Sequence, residues 1–481
     1  MSRARAFAQR LAVPVAIYLV CATVYVAVLG PRRDGPSPND HFVLLADSLL
    51  HGRLEVAGPP YPWEAGAVPR AEFNDWSCFR DVPERCEEEA HSDAIVHAEC
   101  DHHCPPAAPN VHREGEHWYV SFPPFPSIVI LPAVALLGTT FSDPFFWALF
   151  AGLAPALLYV LLRSLRERKI SERSPKEDLL LVTLFAFGGV YFFCSVQGSV
   201  WFSAQVVCSA LLILYLLFAI DARRPLWAGV LLGLCFLTRP TTLIFALFFV
   251  LEAMRVSSAE REELAEGSIW RRLARFVAET KWVPVIRAVA IFGAPLLVVG
   301  LLAMWMNAAR FHDPFEFGHR YLQIRWQPRI EKWGLFNYHY LSKNLAVFLA
   351  SLPWISGSAP YLTISRHGLA FWVTSPNLLP AFWPKKLDAR MISLFVAVAG
   401  VALWNLCYQN SGWVQFGYRF ILDYLPALIV LLALGKRRLG PGFVAVLVLA
   451  IGINLFGAIT FDRAWMFYDD DGTQDRLFHP D

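Results

Sequence analysis

An aspartate lies where the chain leaves its first apolar segment. Asp40 begins the tract Asp40-His-Phe-Val-Leu-Leu-Ala-Asp47-Ser-Leu-Leu-His-Gly52, which has an amphipathic helical pattern. A carboxylate at that boundary is partly desolvated and close to any substrate held in the bilayer, which suits a general base. Aspartate is also a common helix N-cap. The residues alone therefore leave two interpretations of Asp40, a general base or a helix cap.

Arg239 is the second candidate, in the turn Thr238-Arg239-Pro240 between two short apolar runs. A guanidinium group can bind two phosphate oxygens at once, so Arg239 could hold a phosphorylated ligand. It could equally extend to lipid head groups. Four more residues are candidates for the same pocket or for anchors at the membrane interface: His319, Arg320, Tyr340 and Arg419.

Four cysteines fall between the first and second long apolar runs: Cys78, Cys86, Cys100 and Cys104. Outside the cytoplasm they would form two disulfides, with three possible pairings. Histidines at 91, 97, 102 and 103 make a zinc site the alternative, although the spacing matches no standard zinc finger. Disulfides are the preferred prediction, and both interpretations remain open.

The composition decides which class of protein positions these residues. The chain is 56% hydrophobic and 17% charged. Soluble domains are roughly 45–50% apolar and about 25% charged, which excludes a soluble globular enzyme. A net charge of +2 without a basic domain gives no indication of nucleic acid binding. The sequence predicts an all-α polytopic membrane protein.

The distribution of lysine and arginine predicts the topology. Three arginines precede the apolar run 11–30, which is long enough to cross a bilayer and has no cleavage site after it. The positive-inside rule then places the N-terminus and the later basic clusters in the cytoplasm. Those clusters lie at 163–169, 221–224, 255–281, 384–390 and 436–438. Eleven spans satisfy the rule: 11–30, 144–163, 179–198, 201–220, 226–238, 241–254, 284–306, 366–383, 391–408, 421–435 and 441–460.

Two apolar segments do not fit as crossings, 122–138 and 344–355, and we expect both to be juxtamembrane helices on the outer side. Residues 1–460 would form one transmembrane domain. It would include a large first extracytoplasmic loop, 31–121, and a second one, 307–343, with an extracytoplasmic tail at 461–481.

Several short segments resemble, in the same order, those of the GT-C superfamily of membrane glycosyltransferases, which includes protein O-mannosyltransferases and the lipid A aminoarabinose transferase. The tract from Asp40 to Leu54 is similar to the family's first-loop helix, which begins with an aspartate. Four other segments are similar to the family's Pro-Pro helix, its basic turn, its Tyr-rich stretch and its late proline motif: 121–126, 229–240, 338–354 and 418–426. Where metal-dependent members carry a second acidic residue, this chain has His41, so no metal or other cofactor is predicted to be required, and a divalent metal is the less favoured alternative.

The resemblance implies a GT-C-like bundle and an inverting sugar transfer from a polyprenyl-phosphate donor to a lipid, glycan or protein acceptor. Asp40 would be the base, and the donor phosphate would be bound by Arg239, Arg419 and Tyr340. The cavity would also be lined by His41, His319, Arg320 and Tyr418. The enzyme would lie in the inner (plasma) membrane with its active site on the extracytoplasmic side. A transporter or flippase of a lipid-linked saccharide is the alternative, although the inverted repeats typical of transporters are not visible in the sequence.

Overall fold

The structure is a computed structural model, and it describes residues 3–56, 76–80, 116–258, 276–322 and 327–468. This part of the chain is mainly helical, with two small antiparallel sheets. Seven helical segments are long and apolar enough to cross a membrane. The expected all-α membrane architecture is confirmed at this level.

The helices, in chain order, are α1 (Arg3–Leu29), α2 (His41–Leu50), α3 (Phe125–Leu137), α4 (Asp143–Ala151), α5 (Leu153–Glu167), α6 (Pro175–Phe187), α7 (Val190–Ser195), α8 (Val200–Ala219), α9 (Pro225–Phe236), α10 (Ala246–Ser257), α11 (Trp282–Phe311), α12 (Gln327–Trp333), α13 (Leu341–Ala350), α14 (Phe371–Thr374), α15 (Ala389–Leu406), α16 (Leu425–Leu434) and α17 (Pro441–Thr460). The strands are β1 (Trp76–Arg80), β2 (Glu116–Val120), β3 (Trp354–Ile355) and β4 (Leu362–Thr363). Short 3₁₀ helices include Pro240–Phe245, His319–Tyr321, Tyr338–Tyr340, Pro376–Phe382 and Arg419–Asp423.

Polar caps determine where several apolar helices begin. Ser174 and Glu177 form a reciprocal capping box at the start of α6, where the Ser174 hydroxyl accepts from the Glu177 amide at 3.3 Å. Asp388 caps α15 by accepting from the Met391 amide at 2.8 Å. Because each cap directly precedes an apolar run, the sequence itself sets these helix starts.

Seven of the eleven predicted spans coincide with the seven long apolar segments. The other four are shorter or broken: α6 with α7, α9, α16, and the stretch 366–383. In that last stretch α14 is followed by a 3₁₀ helix that contains Pro376 and Pro380, and these prolines prevent a continuous α-helix. A single helical span at 366–383 was therefore a wrong expectation, and the count of eleven stays a prediction.

Side-chain bonds join one set of helix ends. Asp221, just after α8, accepts from Arg168 after α5 and from Arg255 in the last turn of α10. It also accepts from Arg390 in the first turn of α15 at 3.0 Å. We call this the basic end of the bundle, because it contains the basic clusters that the positive-inside rule assigns to the cytoplasm.

The opposite helix ends meet at what we call the loop end. The Val200 amide, at the start of α8, donates to the Asn39 carbonyl just before α2, at 3.1 Å. Arg463, after α17, donates to the Val28 carbonyl near the end of α1, at 2.9 Å. The first loop, the start of α8 and the chain following α17 are therefore at the same end.

The first loop contributes a small core of its own. Strands β1 and β2 form an antiparallel pair, and α2 packs against them through Leu45, Val56, Trp76, Trp118 and Val120. Cys86, Cys100, Cys104 and the four histidines lie outside the described residues, as does the side chain of Cys78. The disulfide and zinc interpretations therefore stay predictions.

A glycine pair explains the close packing of α9. A Cβ atom on Gly229 would lie 2.1 Å from the Phe292 carbonyl of α11, and one on Gly233 would lie 2.9 Å from Val299. Small residues four positions apart let two helix backbones approach closely. This packing fixes the end of α9, and with it the turn that carries Arg239.

Candidate active site

Asp40 is 4% exposed and directly precedes α2 at the loop end. Its carbonyl, not its carboxylate, accepts from the amides of Val43 and Leu44 at 2.8 and 3.2 Å. The side chain makes no capping hydrogen bond to the described helix. The structure therefore does not support the helix-cap interpretation of Asp40, and its role as a base stays a prediction.

A second carboxylate, Asp143 at the start of α4, binds the loop that leads to Asp40. Its Oδ1 accepts from the Ser37 amide at 2.6 Å, and its Oδ2 accepts from the Ser37 hydroxyl at 2.7 Å. Asp143 is 1% exposed and is close enough to Asp40 for their charges to interact. The loop before α2 is thus held in place on both sides, by Asp143 and by the bond from Val200 to Asn39.

His41 packs among aromatic rings beside Asp40. Its imidazole stacks on Trp76 at 4.2 Å between ring centroids and meets the edge of Phe122 at 5.5 Å. Trp201, in the first turn of α8, lies 6.4 Å away. His41 therefore joins α2 to β1 and to the segment that leads into α3.

Arg239 forms a two-point ion pair with Asp423. Its Nε donates to Oδ1 at 2.9 Å, and its Nη2 donates to Oδ2 at 2.8 Å. Asp423 is fully buried and also accepts from Thr241 at 3.2 Å and from Asn405 at 3.0 Å. The Arg239 side chain is thus directed to a buried carboxylate, not to lipid head groups. Its Nη1 atom takes no part in this pair.

Arg419 shares an aromatic contact with Arg239. The guanidinium carbon of Arg239 is 5.1 Å from the centroid of Phe420, and that of Arg419 is 5.4 Å from the same centroid. Arg419 also lies 5.1 Å from the centroid of Phe202 in α8. Both guanidinium groups are therefore near one ring, and cation–π attraction stabilises each contact.

Tyr418 adds a polar group to this cluster. It is 1% exposed, and its ring packs against Phe348 of α13 at 4.9 Å. Its hydroxyl has no hydrogen-bond partner among the described residues, and it interacts electrostatically with Arg239 and Asp423. A buried hydroxyl without a partner costs about 1–3 kcal/mol, so it is a group that a ligand oxygen would satisfy.

Several contacts join this arginine cluster to the loop that carries Asp40. The Phe125 amide at the start of α3 donates to the Leu237 carbonyl, two residues before Arg239, at 3.0 Å. The first turns of α8 contact both Asn39 and Arg419. Asp40, Arg239, Arg419 and Tyr418 therefore lie at the same end of the bundle, around α8.

The other predicted pocket residues have different surroundings. The Tyr340 hydroxyl donates to the carbonyls of Arg329 and Gly334 at 3.2 and 2.8 Å, which closes the loop before α13. The Arg320 side chain is 81% exposed and lies 3.4 Å from Glu316. Within the described residues, no hydrogen bond, ion pair or ring contact joins either of them to the arginine cluster.

His319 lies at the loop end but in a separate place. Burial, and secondly the charge of Arg310, lower the pKa of His319 to about 4, so it is neutral near pH 7. Arg310 donates to the Val120 carbonyl at 3.0 Å, and the Ser77 hydroxyl donates to the Gly318 carbonyl at 2.8 Å. This loop therefore packs on the β1–β2 pair, and it is not joined to the arginine cluster by any described contact.

Sequence reasoning missed Asp423, Asn405 and Phe420, which complete the arginine cluster. One signal was available: Asp423 is a lone carboxylate beside an apolar run, and such residues need a partner inside a bilayer. The residues described do not include any group of three or more His, Cys, Asp or Glu side chains arranged to hold a metal ion. The divalent-metal alternative has no ligand set within this part of the chain.

Comparisons with known proteins give one structural likeness. No family model matches the chain, and no curated protein matches it. Among solved structures, the oligosaccharyltransferase of Archaeoglobus fulgidus in its apo form is similar, with a TM-score of 0.46 and 14% sequence identity. The match covers 95% of this chain and 56% of that one, so this chain spans little more than half the length of the solved protein. A likeness at this level does not assign a function.

Proposed function

We propose that the chain is a membrane glycosyltransferase of the GT-C type. It would transfer a sugar, with inversion, from a polyprenyl-phosphate donor to an acceptor hydroxyl on the extracytoplasmic side of the plasma membrane. One observation carries the proposal. Segments similar to GT-C motifs are far apart in the sequence, between residues 40 and 426, but residues in or next to them contact one another at the loop end.

Asp40 is the proposed general base. In the transfer step the acceptor oxygen bonds to the anomeric carbon, and its proton passes to the Asp40 carboxylate. The bond from the anomeric carbon to the phosphate oxygen breaks, and its electron pair stays with the polyprenyl phosphate. The burial of Asp40 at the start of α2 supports this role, because a carboxylate partly shielded from water at this boundary can meet an acceptor held at the membrane.

The arginine cluster is the proposed site for the donor phosphate. The leaving phosphate gains negative charge as the bond breaks, and positive groups aimed at it stabilise the transition state. Arg239 would contribute the Nη1 edge that its pair with Asp423 does not use, and Arg419 would contribute a second cation near Phe420. The Tyr418 hydroxyl would donate to a phosphate oxygen. No described contact joins Tyr340, Arg320 or His319 to this cluster, so the proposal does not assign them to the phosphate.

The test is sugar transfer by the purified chain in lipid nanodiscs, with a radiolabelled polyprenyl-phosphate sugar and a panel of lipid and peptide acceptors. Asp40→Asn keeps the size of the side chain and removes its basicity, so transfer should fall by about 10²–10⁴-fold while the protein stays folded. Asp47→Asn is the matched control, because Asp47 lies in the same helix, is 33% exposed and pairs with Arg53 at the surface.

Two outcomes would contradict the proposal. An Asp40→Asn variant with wild-type transfer activity would remove Asp40 from the chemistry. Movement of the labelled donor across the bilayer by the wild-type chain, without any glycosylated product, would favour the transporter alternative.

A further inference from the structure

A cavity of about 710 Å³ lies at the basic end, on the side of the bundle formed by α16 and α17. Its walls come from the end of α16, the 3₁₀ helix Pro376–Phe382, the loop that follows α16 and the first turns of α17. The proposed transfer site lies at the opposite helix ends, so this cavity is separate from it.

The lining of the cavity is divided between cations and apolar groups. Four basic residues line it: Arg173, Lys385, Arg437 and Arg438. Trp383, Leu439 and Phe443 belong to the apolar part, and none of the lining residues is acidic. Such a surface fits a ligand that has an anionic group at one end and a hydrocarbon portion at the other.

One of these cations is buried and rigidly held. Arg173 is 7% exposed and donates to the Leu432 carbonyl at 2.7 Å, to the Arg437 carbonyl at 2.6 Å and to Glu177 at 3.0 Å. Its Nε has no hydrogen-bond partner among the described residues, so one donor on this buried side chain is unused.

Asn377 is a second buried polar residue in the lining of the cavity. It is 2% exposed, its amide nitrogen donates to the Phe443 carbonyl at 2.8 Å, and its Oδ1 has no partner among the described residues. The lining of the cavity thus includes two buried polar side chains, Arg173 and Asn377.

The remaining cations leave the mouth positively charged. Lys385, Arg437 and Arg438 are exposed, and no described ion pair couples them to a carboxylate. The only described salt bridge in this loop joins the neighbouring Lys436 to Glu172. Basic pockets between helices at the cytoplasmic face of a membrane bind anionic head groups, with roughly 1 kcal/mol from each Lys or Arg near the surface.

A path for an acyl chain continues from the cavity along α17. Val446 lines the cavity, and Val448 and Leu449 further along the same helix are 65% and 61% exposed. Because α17 is one of the seven helical segments that could cross the membrane, these side chains would face lipid.

We infer that this cavity binds one anionic glycerophospholipid of the surrounding membrane, with its phosphate at the cationic mouth and an acyl chain along α17. A polyprenyl phosphate and free phosphate share part of this chemistry. The phospholipid fits best, because the cavity combines a cationic mouth with an apolar wall and lies at the end that the basic clusters assign to the cytoplasmic leaflet.

The test uses native mass spectrometry of the full chain titrated with phosphatidylglycerol or phosphatidylcholine. The wild-type chain should retain one phosphatidylglycerol about tenfold more tightly than phosphatidylcholine. Arg437→Ala with Arg438→Ala should abolish that preference, and because both side chains are exposed the variant should stay folded. The matched control is Arg223→Ala with Arg224→Ala, which removes the same charge from exposed residues at the basic end that do not line the cavity.

Three results would overturn the inference. Equal retention of the two lipids, or an equal loss in both double variants, would mean that only the general surface charge attracts lipid. Tighter binding of a polyprenyl phosphate than of phosphatidylglycerol would assign the cavity to the donor lipid. Displacement of the lipid by millimolar inorganic phosphate would reduce the site to an anion site without a lipid component.

Discussion

The two ends of the bundle both contain buried arginines, but they use them differently. At the basic end, Arg168, Arg255 and Arg390 bind two carboxylates, Asp221 and Glu252. At the loop end, Arg239 pairs with Asp423, while Arg239 and Arg419 also face one aromatic ring. At the basic end the three arginines share the two carboxylates, whereas the loop end contains the Tyr418 hydroxyl without a described partner beside two guanidinium groups.

This contrast separates a structural ion network from a candidate binding site. In the network, Glu252 accepts from Arg255 at 2.7 Å and from the Asp221 amide at 2.8 Å. Together with Arg168 and Arg390, these residues tie together the ends of four helices, α5, α8, α10 and α15. Removing one partner from a buried pair is costly, which makes such a network effective in fixing helix ends. At the loop end, a guanidinium edge and a hydroxyl are available to a ligand.

The prediction with the largest effect tests whether the two ends face opposite compartments. Ser342→Cys, an exposed position in α13, should react with an impermeant thiol reagent in intact cells, while Lys176→Cys, exposed in α6, should not. The unsubstituted chain gives the background from its own cysteines. Labelling of both positions to the same extent would show that the two ends of the bundle do not face opposite compartments.

Removing charge from the network should destabilise the protein strongly. Glu252 is fully buried, so Glu252→Gln leaves less negative charge to balance Arg255 and Arg390. This change should lower the free energy of unfolding by about 3 kcal/mol or more. Glu172→Gln is the control, because the Glu172 side chain is 70% exposed and its pair with Lys436 should contribute less than about 1 kcal/mol. Thermal unfolding in the same detergent compares the two. Similar midpoints for both variants would show that the network does not hold the helix ends.

The sequence predicted the elements better than it predicted these contacts. Apolar runs and their polar caps locate the long helices, because burial in lipid and capping are both local in sequence. The pair of Arg239 with Asp423 spans 184 residues, and nothing local to either residue specifies the other. The basic clusters were interpreted only as signals of topology, and the structure shows that residues from four of them also meet in one ion network. Asp40 was selected through the family resemblance and its role stays a prediction, whereas the contacts that hold its loop come from α8 and α4, which follow it much later in the chain.

Donor binding at the loop end should depend on the guanidinium of Arg239. Arg239→Ala alone would leave Asp423 as a buried charge without its cation, so its loss of binding would be mixed with a loss of stability. The pair Arg239→Gln with Asp423→Asn avoids this and should weaken the binding of a polyprenyl-phosphate sugar by about tenfold or more. Asp423→Asn alone keeps the cation and should bind at least as well as the wild-type chain. Equal affinities in all three proteins, measured by equilibrium binding in nanodiscs, would exclude Arg239 from the phosphate site.

The smallest expected effect concerns Tyr418, for which a packing role and a donor-binding role predict different effects on donor binding. If its hydroxyl is only an unsatisfied group in the core, Tyr418→Phe should stabilise the chain by about 1 kcal/mol and leave donor binding unchanged. If the hydroxyl donates to the donor phosphate, the same variant should be as stable or more stable without donor, yet bind the donor several-fold more weakly. Unfolding midpoints measured with and without saturating donor give both quantities from one protein. We expect the donor to raise the midpoint of the wild-type chain more than that of Tyr418→Phe, and an equal rise in both would return Tyr418 to a packing role beside Phe348 and Phe420.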